Sequence, residues 1–302
     1  MSREGFRRTL REKKQPSPKT HPKKERESEI MHVTKSTVVT MPTTTAIYDA
    51  IKTMTKAGFR RIPIANPSTK RLEGIATATD IIDYLGGGPK FGMIQQKFVG
   101  NFFKAINEPM KLIMTKEVVT IKTSAKVSEA LQLMKDKNLG GLPVVDENCC
   151  VKAIITERDI VKMFANRISG VRVTQLMSEK LVTALPRTTI FEAERTMIAQ
   201  GFRRLPIVTE GKVLGIITSM DIIRFFGSGE VFKYLRSGTI IQVLSTPALE
   251  IATKEVVTIA SDVDVGQAAK TMREKNIGAL PVVRDGELVG MITERDFFKV
   301  IE

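Results

Sequence analysis

The sequence predicts an α/β (α+β) fold made of four copies of one strand–helix–strand–strand–helix unit, paired two by two. Three observations predict it. Four short apolar runs end in Thr: Val38-Val39-Thr40, Val118-Val119-Thr120, Leu181-Val182-Thr183 and Val256-Val257-Thr258. Ten residues after each Thr comes Ala (Ala50, Ala130, Ala193, Ala268), fourteen after it Met (Met54, Met134, Met197, Met272), and twenty-three after it Pro (Pro63, Pro143, Pro206, Pro281). Each copy then closes on Thr-x-x-Asp, at Thr77/Asp80, Thr156/Asp159, Thr218/Asp221 and Thr293/Asp296. A register kept four times marks a repeat architecture, in which each unit is too small to bury its own apolar faces and needs a neighbour.

The elements follow in order. The opening runs are rich in β-branched residues and predict short strands. Ala46, Ile47, Ala50, Ile51 and Met54 share one face of an amphipathic helix. Thr44 or Thr45 can cap its start, and Gly58 can end it, with Gly201 as the matching stop in the third copy. Residues 61–65 and 72–76 predict two strands joined at Asn66-Pro67, and Asp285-Gly286 is the equivalent turn in the fourth copy. A last helix begins at each Thr-x-x-Asp.

The copies alternate. The first and third share Gly-Phe-Arg-Arg-x-Pro-Ile, from Gly58 and from Gly201. The second and fourth share Asn-x-Gly-x-Leu-Pro-Val-Val, from Asn138 and from Asn276, together with Thr-Glu-Arg-Asp. This alternation predicts a duplicated pair, and hence a module over residues 30–165 (repeats 30–85 and 110–165) and another over 166–302 (repeats 172–226 and 243–302). Long connections inside each module open on Gly86-Gly87-Gly88 and Gly227-Ser228-Gly229. Their aromatic pieces, Phe98/Phe102/Phe103 and Phe232/Tyr234, are expected to pack between the paired units.

Composition narrows the class. Of 302 residues, 47 are Lys or Arg against 33 Asp or Glu, for a net charge of +14. Residues 1–29 carry ten of these bases and five acids. Residues 11–29 lack apolar side chains, which predicts a disordered basic arm. Two adjacent cysteines exclude a disulfide framework and point to a reducing, cytoplasmic setting. No apolar run is long enough to span a bilayer. Two histidines near the arm provide no zinc set, and Gly86-Gly87-Gly88-Pro89-Lys90 lacks the Gly-Lys-Ser/Thr ending of a phosphate loop. No nucleophile–base arrangement is visible, so a non-catalytic protein is expected.

With these residues in view, the units resemble the CBS domain. The resemblance rests on the Val-Val-Thr run, the Ala-x-x-x-Met helix, the Leu-Pro-Val-Val strand and the closing Gly-Ile-Ile-Thr-x-x-Asp, and it spans about residues 30–302. It implies two Bateman modules forming a disc, as in stand-alone archaeal CBS proteins and the gamma regulatory subunit of AMP-activated protein kinase. It also implies adenosine ligands (AMP, ADP, ATP or S-adenosylmethionine), signalling of energy status to a protein partner, and a monomeric disc or a homodimer of discs. A second expectation is nucleic-acid binding through the basic arm, with the repeat core as a ligand-gated scaffold. An S-adenosylmethionine sensor is a third.

The candidate ligand residues lie on the repeat motifs. Thr-x-x-Asp is a capping box by spacing alone, although Glu or Gln is commoner at its last position, and a carboxylate also suits the paired hydroxyls of a ribose. The resemblance assigns Asp80, Asp159, Asp221 and Asp296 to ribose, and Thr77, Thr156, Thr218 and Thr293 to nearby ribose or phosphate oxygens. The resemblance to the kinase gamma subunit also makes Arg60 and Arg203, the first of each Arg-Arg pair before a buried-looking strand, the phosphate candidates, and Arg158 and Arg295, one residue before the ribose Asp, are second candidates. Gly140 and Gly278, which match Arg60 in the even copies, could bring backbone close to an adenine. Copy 2 departs from the pattern in having Ala153 where the others carry Gly74, Gly215 and Gly290.

Overall fold

A computed structural model describes residues 29–34, 38–164, 170–235 and 237–301. The predicted arm lies outside the described residues except for Glu29, which opens a short helix, Glu29–Val33, whose Ile30 is buried. In every repeat an antiparallel hairpin carries the Pro of the motif: Pro63 opposite Ile75, Pro143 opposite Ile154, Pro206 opposite Ile216 and Pro281 opposite Met291. Asp285 and Gly286 both have positive φ (52° and 86°), as a tight hairpin turn requires.

The Val-Val-Thr runs are not strands. Pairing starts just after each Thr, with Ile121 parallel to Val144 and Ile259 parallel to Val282. In repeats 1 and 3 it shrinks to single bridges, Met41 to Ile64 and Ala184 to Ile207. The runs of the first three repeats line cavities instead of joining the sheets, and Val257 of the fourth packs on the core of repeats 2 and 4.

The helix Ile47–Ala57 buries Ile47, Ala50, Ile51 and Met54 and ends at Gly58 in the left-handed conformation, and Gly201 ends its counterpart in repeat 3 the same way. Neither Thr44 nor Thr45 caps the first helix. Ala46 holds the N-cap position without a side-chain bond, and the Ile47 N–H donates to the Glu108 carbonyl at 2.9 Å. The connection from repeat 1 to repeat 2 therefore supplies the acceptor that a side chain was expected to supply.

Four contacts close the repeats into a ring. Repeats 1 and 2 join at their turns, where the Leu72 N–H donates to the Cys149 carbonyl (2.9 Å) and the Val151 N–H to the Lys70 carbonyl (3.1 Å). Repeats 3 and 4 join likewise, from the Leu288 N–H to the Gly211 carbonyl at 2.9 Å. The apolar cores run the other way. One core unites repeats 1 and 3, and a second unites repeats 2 and 4. The aromatic connections belong to the first core. Phe102 stacks on Phe226 at 5.8 Å and Phe91 meets Phe191 at 6.0 Å. They thus pack between modules, not between the paired units as the sequence suggested, because the helices that flank them carry the apolar stripes of repeats 1 and 3.

Candidate functional site

All four Thr-x-x-Asp motifs adopt one geometry. The Thr hydroxyl donates to Asp Oδ2 at 2.6 Å in the first three copies and 2.8 Å in the fourth, and the Thr N–H donates to the same oxygen. In repeats 1 and 3 the Asp N–H returns a bond to the hydroxyl at 3.2 Å, which completes a capping box. The Thr proton is therefore engaged by its own Asp, so Thr positions the carboxylate and leaves Oδ1 to act outward. In three copies a cation already faces Oδ1: Lys90 on Asp80 (3.1 Å), Arg224 on Asp221 (2.8 Å) and Lys299 on Asp296 (3.0 Å). Lys90 ends the glycine-rich segment that does not qualify as a phosphate loop, and it also donates to the Ile113 carbonyl at 2.9 Å.

The arginines converge where the modules meet. Arg60 of repeat 1 bonds Glu294 of repeat 4 at 3.1 Å, and Arg203 of repeat 3 bonds Glu157 of repeat 2 at 2.9 Å. The even copies cross as well, with Arg158 on Glu294 and Arg295 on Glu157, both at 2.7 Å. Arg158 also reaches Asn276 at 2.8 Å, and Arg295 reaches Asn138. Arg61 and Arg204 point inside their own modules. The Arg204 guanidinium donates to the Gly278 carbonyl at 2.7 Å.

Burial tends to push the Glu157 carboxyl up, but Arg203 and Arg295 outweigh it and hold the group at about 2. Glu294 is lowered in the same way, against burial, by Arg60 and Arg158. Burial, then the neighbouring Arg203, lowers Arg61 to about 10 and Arg204 to about 9. Six arginines thus surround two carboxylates, and this excess of part-buried positive charge suits an anion.

Two cavities adjoin this centre. One of about 710 Å³ runs between the modules. Its lining includes Thr77, Asp80, Val118 and Val119 from one module, Leu181, Val182, Thr293 and Asp296 from the other, and Arg60, Arg61, Arg203, Arg204 and Arg295. The second, about 240 Å³, is lined by Val38, Val39, Thr156, Asp159, Arg158 and Arg60 among others. Thr218, Asp221 and Gly278 line neither of these two. Gly140 lines both, yet the close approach that requires glycine there is made by arginines. A Cβ at Gly140 would lie 2.7 Å from Arg61 Nη2 and 2.9 Å from Arg203 Nη1, and one at Gly278 would lie 2.6 Å from Arg60 Nη2.

Sequence reasoning missed Glu157 and Glu294, although Thr-Glu-Arg-Asp in the even copies contains them. Arg61 and Arg204 were also passed over in favour of the residue before each, and a charge opening a buried strand was the available signal. Among the described residues there is no cluster of side chains that could hold a metal ion and no helix long and apolar enough to cross a membrane.

With the repeats and their ring in place, the comparisons with known proteins agree on class. The CBS domain family model matches residues 28–87, 110–166, 173–228 and 248–302, and the chain belongs to this family. Protein MJ1225 of Methanocaldococcus jannaschii is 36% identical over 264 residues, covering 87% of this chain and 94% of that protein. Its crystal structure, whose description proposes an archaeal homologue of g-AMPK, aligns with a TM-score of 0.86 at 35% identity over 90% of this chain and 99% of that one. An uncharacterized 33.4 kDa protein of Thermofilum pendens is 30% identical over 256 residues, 85% of each chain. A conserved Pyrococcus horikoshii protein shares the fold, with a TM-score of 0.55 at 20% identity over 88% of this chain and 96% of that one.

Proposed function

We propose that this is a non-catalytic regulatory protein that binds adenine nucleotides in the clefts between its CBS repeats and reports adenylate status to a protein partner. The observation that carries this reading is the centre itself, where six arginines face two carboxylates beside a cavity that has a Thr–Asp pair from each module in its walls. A nucleotide fits that pattern in parts. Its ribose hydroxyls suit the Oδ1 oxygens of Asp80, Asp159 or Asp296, and its base suits the apolar walls formed by Val118-Val119, Val38-Val39 and Leu181-Val182. Its phosphates suit Arg60, Arg203, Arg158 and Arg295, with Arg61 and Arg204 behind them. The likeness to a protein described as a proposed homologue of g-AMPK supports the choice of adenylate.

Ligand binding would shift the relative placement of the modules, because the phosphate-facing arginines are the same groups that tie one module to the other. Calorimetric titration with AMP, ATP, S-adenosylmethionine and a DNA or RNA oligomer tests the assignment. Binding of AMP or ATP to the full chain at micromolar concentration is the expected result. Binding of the oligomer alone, lost on removal of residues 1–28, would replace this reading with a nucleic-acid one.

A further inference from the structure

Glu157 and Glu294 are 1% and 4% exposed, and the ribose and phosphate assignments use neither. Each carboxylate takes one arginine from the odd repeat and one from the even repeat of the opposite module. Two anionic oxygens receiving charge-assisted bonds from two guanidinium groups make the same arrangement that a terminal phosphate makes. The odd copies have no acid at this position, where Ala78 and Ser219 stand instead. The carboxylates are therefore not a requirement of the repeat fold. They are placed only where they reach the other module.

Resting on the nucleotide reading above, we propose that Glu157 and Glu294 are built-in competitors for phosphate: an entering phosphate takes Arg203 or Arg60 from its carboxylate, and the ion pair between modules opens as the site fills. The exchange leaves no carboxylate without a partner. Glu157 released by Arg203 keeps Arg295, and Glu294 released by Arg60 keeps Arg158, each at 2.7 Å. Because each arginine–carboxylate ion pair joins one module to the other, the first phosphate loosens the pairing that the second must also disrupt. This couples the clefts positively.

The experiment titrates the full-length wild-type chain and the Glu157→Gln and Glu294→Gln variants with adenosine, AMP, ATP and sodium tripolyphosphate at one salt concentration. AMP, ATP and tripolyphosphate should bind each variant about tenfold tighter, about 1.4 kcal/mol, with adenosine unchanged and the sigmoidal character of the ATP isotherm reduced. Should a Gln variant fail to fold, Glu157→Asp keeps the charge and withdraws it by one methylene, and a smaller gain in the same ligands is expected. Unchanged or weaker AMP and tripolyphosphate binding in folded variants overturns the proposal. Wild-type protein that binds tripolyphosphate but no adenosine compound would reject the nucleotide reading, while tighter tripolyphosphate binding by the Gln variants would still support the competition.

Discussion

Glu194 in repeat 3 occupies the helix position that Ile51 occupies in repeat 1. Ile51 packs on Gly227, and Glu194 packs on Gly86, six residues past the Asp of its motif as Gly227 is. The apolar partner fits an apolar seam. The carboxyl does not: Glu194 is fully buried, and among the described residues neither of its side-chain oxygens has a hydrogen-bond partner.

Burial pushes the Glu194 carboxyl well above its ordinary value. A raised carboxyl is protonated in the fold while the unfolded chain ionises above about 4.5, so this group costs stability as pH rises past that point. Glu194→Leu should therefore stabilise the protein by about 1–3 kcal/mol at pH 7, with the gain shrinking as pH approaches 4. Urea denaturation at the two pH values measures this, and equal gains at both would contradict it.

Glu157 has the opposite sign. Held at about 2 against an unfolded value of 4.5, it contributes stability above about pH 4.5 that is lost as pH falls toward 2. In wild type, stability should drop by a few kcal/mol over that window, and in Glu157→Gln the drop should be smaller. Glu157→Ala, which takes the carboxylate from the part-buried Arg203 and Arg295, should cost about 1–3 kcal/mol at pH 7. Guanidinium denaturation is unsuitable because the salt screens the pair, so urea is the denaturant of choice.

The capping boxes give a local prediction. Thr218→Ala removes the hydroxyl that accepts from the Asp221 N–H and donates to its carboxylate. The helix Ser219–Gly227 should lose about 1 kcal/mol, and Thr218→Ser should recover most of it. A loss near zero would mean that the Asp221 bond to the Thr218 N–H suffices alone.

Much of this was legible in the sequence. The repeat register placed the hairpins, the Gly58 and Gly201 stops and the Asp285-Gly286 turn, because those depend on local residue chemistry. The Thr-x-x-Asp caps were legible for the same reason, whereas the expected Thr44 or Thr45 cap was not, because the distant Glu108 carbonyl takes its place. What was not legible is long-range. That Phe98 and Phe102 join repeat 1 to repeat 3, and that Arg60 meets an acid 234 residues away, depends on how the units close into a ring, which no local spacing encodes. The Val-Val-Thr runs misled because β-branched residues serve a cavity wall as well as a strand. Glu157 escaped notice because one Glu beside an Arg in a helix start looks like ordinary surface charge until the opposite module covers it.

The most direct measurement compares AMP with adenosine, by calorimetry, on the wild-type chain and on the double variant Arg60→Ala/Arg203→Ala. If the arginine centre holds phosphate, the double variant loses AMP affinity by about a hundredfold, some 3 kcal/mol, while adenosine binding changes little. Equal losses for AMP and adenosine, or an unchanged AMP affinity in a folded variant, would contradict the account.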